Sequence, residues 1–317
     1  MSEPPAPLFR DPIYDGAADP TVIWNRQEQS WWLLYTNRRA NVECRGVAWV
    51  HGTDIGVASS SDNGHSWLYR GVLAGLEFER GRNTFWAPEV IWHDQLYHMY
   101  VGYVPGVPND WSGSRLIVHM TSSNLWDWEY QSTLTLSSNR VIDAAVHLLP
   151  NGHWRMWYKD EVNQSHTYAA DSDDLYHWTV RGPVITDCPH EGPNVIFWQQ
   201  SYWMITDAWQ GLGVYLSQDA EHWERQEGNL LDTPGQRAED GVIGGYADVE
   251  VQGDRAFVFY FTHPTWDRST ERYGMDEVHP YHVKRTSIQV AELELRGSTL
   301  VCDRDKPFDF TLQPGHI

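Results

Sequence analysis

The chain has 317 residues, 41% of them hydrophobic, and a formal net charge of −20, the profile of a folded globular protein. So acidic a balance speaks against nucleic acid, whose binding rests on Lys and Arg neutralising phosphates, and against an anionic membrane surface. With 18 Trp, 16 Tyr and 9 Phe the chain holds more aromatic surface than a core of this size needs, so some of it is expected to face a ligand.

The N-terminal stretch MSEPPAPLFRDP lacks a basic segment followed by an apolar one, so no signal peptide is read and a cytoplasmic location is expected. No apolar run reaches the roughly 18 residues that a transmembrane helix needs. Cys44, Cys188 and Cys302 are far apart and form no CxxC pair, which suggests neither a disulfide framework nor a zinc site. The oligomeric state has no signature in the sequence.

In chain order, one unit is written five times. The first begins with a pair of β-rich runs, DPTVIW…WWLLYT (19–36), joined by 25–30. A third run over 54–60 and the turn Ser61-x-Asn63…Trp67 follow. The second unit repeats this with APEVIW…YHMYVGY (87–103), a run over 116–121 and Ser122-x-Asn124…Trp128. The third has DAAVHL…WRMWYK (143–159) and Ser172-x-Asp174…Trp178. The fourth has EGPNVIFW…YWMITDAW (191–209) and Ser217-x-Asp219…Trp223. The fifth has YADVEV…AFVFYFTHP (246–264) and two further runs, 286–295 and 299–302, without the Ser…Trp turn. Each pair of runs is a hairpin, and a Ser or Asx side chain folding back on its own backbone makes each turn.

Five units of four short strands, with almost no helical period, predict an all-β fold: a five-bladed β-propeller with four antiparallel strands per blade. Residues 1–317 are read as one domain, with blades over approximately 19–71, 87–131, 143–181, 191–227 and 246–303. A β-sandwich with an accessory domain, or six blades with one degenerate, leaves the even spacing of the hairpins unexplained. In an up-and-down blade the long segments 38–52, 72–86, 104–114, 132–142, 182–190, 228–245 and 265–285 share one face, where function is expected.

Innermost strands run beside the propeller axis, so their first residues should ring its mouth. Aligned on the following Val, these are Asp19, Ala87, Asp143, Glu191 (with one residue of slack) and Tyr246. A single strand-initial carboxylate is best read as a turn cap, but three from three blades aimed at one axis suggest a site. Clustered like charges raise at least one pKa, as a general acid requires. A carboxyl pair is also what glycosidic bond hydrolysis uses, one protonating the leaving oxygen while the other activates water or attacks. Sugar rings stack on Trp and Tyr, and Trp86 and Trp209 are placed for that contact, whereas Trp67, Trp128, Trp178 and Trp223 are assigned to blade packing.

The set Asp19-Pro20, Trp86-Ala87-Pro88-Glu89, Ile142-Asp143-Ala144 and Glu191-Gly192-Pro193, in this order over roughly 19–264, resembles glycoside hydrolase family 43 and its five-bladed relatives. The resemblance implies Asp19 as general base, Glu191 as general acid and Asp143 as orienter and pKa modulator of Glu191. It also implies an inverting glycosidase acting on arabinofuranosides or xylosides, with a small oligosaccharide or glycoside as partner. No cofactor is required. The family usually carries a His at the fifth ring position, often associated with a central calcium ion; Tyr246 stands there instead, so no metal site is assigned.

Other residues on this face are candidate substrate contacts: Arg38 and Arg39, with Arg45, as a clamp for an anionic group, and His51, Glu89, Lys159 and Tyr246. The alternatives are a related propeller glycosidase of another family, a phosphorylase that binds phosphate through residues such as Arg38 and Arg39, a carbohydrate-binding propeller without catalysis and, more distantly, a WD-type interaction scaffold. No HxH, HExxH, GxSxG or Gly-rich phosphate motif is present. Residues 60–67 match the sialidase Asp-box once, as a turn device.

Overall fold

A computed structural model describes residues 3–315 and folds them into five four-stranded antiparallel sheets arranged as the blades of a propeller. Blade 1 comprises β1 (Ala17–Asn25), β2 (Ser30–Asn37), β3 (Ile55–Ser60) and β4 (Leu68–Val72). Blade 2 comprises β5 (Thr84–His93), β6 (Leu96–Val104), β7 (Leu116–Ser122) and β8 (Glu129–Thr133). Blade 3 comprises β9 (Val141–Leu148), β10 (Trp154–Asp160), β11 (His166–Ser172) and β12 (Thr179–Ile185). Blade 4 comprises β13 (Glu191–Trp198), β14 (Ser201–Asp207), β15 (Leu212–Ser217) and β16 (Glu224–Leu230). Blade 5 comprises β17 (Gly245–Gln252), β18 (Arg255–Thr262), β19 (Ser287–Arg296) and β20 (Thr299–Val301). Within each blade every strand pairs with its sequence neighbours, the up-and-down order expected of the repeats.

Burial follows position in the blade. The second strand of blade 1, SWWLLYTN, is buried along its whole length because blades pack on both of its faces. The outermost strand of the same blade alternates exposed and half-buried residues, with one face to solvent. The repeated turn works through side chains. Ser122 Oγ accepts the Leu125 amide, Asn124 Oδ1 accepts the amides of Trp126 and Asp127, and Trp128 Nε1 donates to the Leu125 carbonyl at 2.9 Å. The turns at Ser172 and Ser217 bond their backbones in the same way. The first copy differs: there Ser60 and Asp62, not Ser61 and Asn63, bond the turn, which is one residue longer.

Among the described residues no blade shares strands from both ends of the chain, so the ring closes by other means. Residues near the N-terminus bridge to blade 5 through Phe9 and Ile288, and Gly16 and Thr286. The C-terminal stretch then crosses from blade 5 to blade 1. It buries Phe308, Phe310 and Leu312 between the two, and the Leu312 amide donates to the Asn63 carbonyl at 2.8 Å. Burying three such side chains contributes about 1.5–3 kcal/mol each. Hydrogen bonds between adjacent blades join the innermost strands around the axis: Glu89 Oε1 accepts the Val146 amide at 2.8 Å, and Asp248 Oδ2 accepts the Val22 amide at 2.7 Å.

Candidate active site

Each innermost strand carries a one-residue bulge at its start, where the ladder register slips. At each bulge one residue takes the left-handed conformation: Asp19 (φ 49°), Ala87 (45°), Asp143 (60°), Gly192 (55°) and Tyr246 (42°). Four of the five have a β-carbon and hold a conformation that costs about 1–3 kcal/mol each. The bulge re-aims side chains, so neighbours that would alternate along a plain strand can face the same space. Ile142 and Asp143 both line one cavity, as do Gly245 and Tyr246. The alignment gap at Glu191 has its explanation here: Gly192 occupies the ring position, and Glu191 projects from the residue before it, the place held by Trp86 in blade 2. A β-carbon on Gly192 would lie 2.6 Å from the Tyr246 ring, so only glycine fits.

The cavity has a volume of about 440 Å³ and is walled by residues from all five blades. Asp19, Asp143, Glu191 and Asp207 face it, with Trp86, Trp111, Trp209 and Trp266 among its aromatic walls. Its sides come from 47–50, from Ile243 and Gly244 just before β17, and chiefly from the segment after β18, which contributes Trp266, Arg268, Arg272, Tyr273, Met275 and His279. Of the segment 228–245 only Ile243, Gly244 and Gly245 reach the lining, and a buried Arg304–Asp240 ion pair at 2.8 Å ties the segment to the chain that follows β20.

Each carboxylate has a distinct environment. Burial raises the pKa of Asp19, while Arg38 Nη2, 2.8 Å from Oδ1, partly offsets that by favouring the ionised form. Burial, and then the charge of Glu191, pushes Asp143 well above the usual aspartate range; its Oδ2 accepts the Gly192 amide at 3.1 Å. Glu191 goes the other way. Burial disfavours its charge, but Lys159 at 2.9 Å, with Trp209 and Arg38, outweighs burial and holds it below the ordinary glutamate range. Asp207, unrecognised in the sequence, is pushed up to about 7, first by burial and then by Glu191, although its oxygens accept the amides of Trp209 and Tyr246 at 2.7 and 2.9 Å. It stands opposite Glu191 across the β13–β14 ladder, so counting back from that hairpin with its bulge would have found it.

Among the proposed contacts, Arg38, Trp86, Trp209 and Tyr246 line the cavity. Trp86 is fixed by its indole N–H on the Val50 carbonyl, 2.6 Å away, while Trp209 is 41% exposed at the rim. Trp111, 46% exposed, lines the cavity from the segment after β6 and went unrecognised because nothing in that segment repeats. Five expected contacts, Arg39, Arg45, His51, Glu89 and Lys159, lie outside the lining. Arg39 spends its guanidinium on the carbonyls of His51 and Ala48, at 2.8 and 2.5 Å. His51 is fully buried beneath Trp86 and Trp111, and burial lowers its pKa to about 4, leaving a neutral packing residue. Glu89 lies two residues deeper along its strand and stitches blade 2 to blade 3, its pKa raised to about 8 by burial. Lys159 is buried with its ammonium on Glu191 and 5.5 Å from the Trp209 ring.

No family model and no curated protein matches the sequence. Solved structures match its fold. A thermostable family-43 glycoside hydrolase aligns over 97% of this chain and 98% of its own, at 20% identity and a TM-score of 0.67. The GH43_1 enzyme from Xanthomonas citri, solved with xylotriose, aligns over 94% and 92% at 13% identity and a TM-score of 0.66. A GH43 β-xylosidase/α-arabinofuranosidase from a compost microbial metagenome, in a calcium-free form with xylotriose, aligns over 95% and 96% at 13% identity and a TM-score of 0.63. In fold the chain is family-43-like. The centre of the ring does not fit the calcium ion associated with that family. The Tyr246 phenol occupies the fifth position, and burial, followed by the charge of Asp143, raises its pKa well above the usual 10, so it stays neutral. Among the described residues no three His, Cys, Asp or Glu side chains gather as a metal cluster.

Proposed function

We propose that the protein is an exo-acting, inverting glycoside hydrolase that removes an arabinofuranosyl- or xylosyl-like unit from a small oligosaccharide. The observation that carries this reading is the convergence of Asp19, Asp143 and Glu191, from three blades, on one aromatic-walled cavity. Asp19 takes a proton from a water whose oxygen attacks the anomeric carbon, and Glu191 gives a proton to the departing glycosidic oxygen. Asp143 orients the pair and modulates the charge of Glu191. A base raised by burial toward the working pH accepts a proton more readily, which suits Asp19. The wall formed after β18 closes one side of the cavity and favours a chain end over a chain interior.

Arg38 and Arg39, which would hold phosphate in a phosphorolytic enzyme, are taken up by Asp19 and by backbone carbonyls. Hydrolysis is therefore the better-supported reading. The test is turnover of nitrophenyl arabinofuranosides, xylosides, galactosides and uronides without phosphate. Release of nitrophenol from at least one, lost in Asp19→Asn, is expected. Binding of sugar without turnover on any of them would instead support a carbohydrate-binding propeller.

A further inference from the structure

Lys159 was expected to touch substrate, yet its ammonium is withheld from the cavity and stands between two carboxylates. Nζ is 2.9 Å from Glu191 Oε2 and 3.4 Å from Glu161 Oε1. The second carboxylate is firmly seated. Its other oxygen, Oε2, accepts from Arg115 at 2.5 Å and from Arg140 at 2.9 Å, and both of these arginines also donate to the Trp111 carbonyl. Glu161 Oε1 is thereby left toward Lys159. The fold brings these groups close: Lys159 and Glu161 are two residues apart at the end of β10, across from the start of β9, and Glu191 begins β13 on the next blade.

This arrangement conflicts with a proton on Glu191. An ammonium in contact with a carboxylate favours its ionised form, and an ionised Glu191 has no proton to give. The remaining groups facing Glu191 are the carboxyls of Asp143, Asp19 and Asp207, whose negative charge favours its protonation, Arg38, Arg268 and the Trp209 indole, which oppose it, and Tyr246, which is neutral and does neither. Lys159 is the nearest charge and has a second seat within reach.

We propose, building on the acid role of Glu191 stated above, that Lys159 is a positioning residue whose ammonium passes from Glu191 to Glu161 when substrate enters. In the free protein Lys159 holds Glu191 ionised. A glycosidic oxygen arriving at Glu191 takes the place of the ammonium, Lys159 settles on Glu161, and Glu191 takes up one proton from solvent. That proton goes to the leaving group, and the proton that water loses to Asp19 returns to solvent, so the cycle is balanced. The Arg115–Arg140–Glu161 network keeps the second seat charged and in place beside the Trp111 rim.

The test reads Glu191 directly. The carboxyl ¹³C resonance of Glu191 in glutamate-labelled protein, assigned by its loss in Glu191→Gln, is titrated in wild type, Lys159→Met and Glu161→Gln. Lys159→Met should raise the midpoint by at least about one pH unit, the size of shift an adjacent opposite charge produces. Glu161→Gln should leave it unchanged or lower it, because Lys159 then has only Glu191 to hold, and should reduce kcat by about tenfold with little change in KM. A midpoint unmoved by Lys159→Met, or raised by Glu161→Gln, would overturn the proposal. The titration does not need turnover: an inactive wild type would refute the acid role of Glu191, while the midpoints would still decide whether Lys159 sets its charge.

Discussion

Gly192→Ala is the substitution whose consequences the geometry fixes most closely. Two costs add at this position. A β-carbon in the left-handed region costs about 1–2 kcal/mol, and at φ 55° Gly192 lies within it. The added methyl would also lie 2.6 Å from two atoms of the Tyr246 ring, which is packed and buried, and overpacking of this kind costs about 1–3 kcal/mol. The sum, roughly 2–5 kcal/mol, corresponds to a fall in Tm of roughly 3–8 °C for a chain of this size. Gly253→Ala separates the two costs, since Gly253 has φ 68° with nothing within 4 Å of an added β-carbon, in a hairpin turn remote from the cavity. It should lose only about 1–2 kcal/mol and keep full activity. In Gly192→Ala the Tyr246 ring must move, and the Gly192 amide that Asp143 accepts moves with the backbone, so kcat/KM should fall by about 100-fold, the usual cost of misplacement by about 1 Å. Melting curves and aryl-glycoside kinetics on both variants decide it. A Gly192→Ala protein as stable as Gly253→Ala and fully active would refute the reasoning.

Other expectations concern stability. Phe310→Ala should cost about 3–5 kcal/mol in denaturant unfolding, because this fully buried ring packs against Phe257 and Phe308 where the C-terminal stretch closes the ring; a loss under about 1 kcal/mol would remove that stretch from the closure. Arg304→Leu leaves Asp240 buried without its cation and should cost about 3–5 kcal/mol, part of it recovered by adding Asp240→Asn. Asp207 has its pKa raised to about 7 in the folded protein against an ordinary value of 3.8. The folded state thus binds the extra proton, and the contribution of Asp207 to stability falls as pH rises from about 4 to about 7. Asp207→Asn should flatten Tm over that window relative to wild type, and an unchanged slope would contradict the burial argument.

The fold was legible because a propeller repeats itself in sequence: five hairpins and four Ser…Trp turns carry their own spacing, and the turns rest on local side-chain bonds such as Asn124 to the amides after it. Asp19, Asp143 and Glu191 were legible as residues near strand starts that ring the axis; the bulge that turns them into one cavity was not, since alternation along a strand does not reveal it. That bulge explains both the displaced register of Glu191 and the omission of Asp207. Arg39, His51, Glu89 and Lys159 were misplaced for a different reason. Each lies on or near the functional face, but burial commits its polar atoms to protein partners, and which partners satisfy them is a tertiary fact. The wall carrying Trp266, Arg268 and Tyr273 comes from a single unrepeated segment, so no internal comparison could assign it a role.

The most direct test of the central claim is ¹H NMR of the sugar released in the first minutes of hydrolysis of a glycoside that the protein turns over. The account predicts that the first anomer formed has the opposite configuration to the substrate, and that Asp19→Asn releases none. A first product of retained configuration, or undiminished release by Asp19→Asn, would contradict Asp19 as the base that activates water.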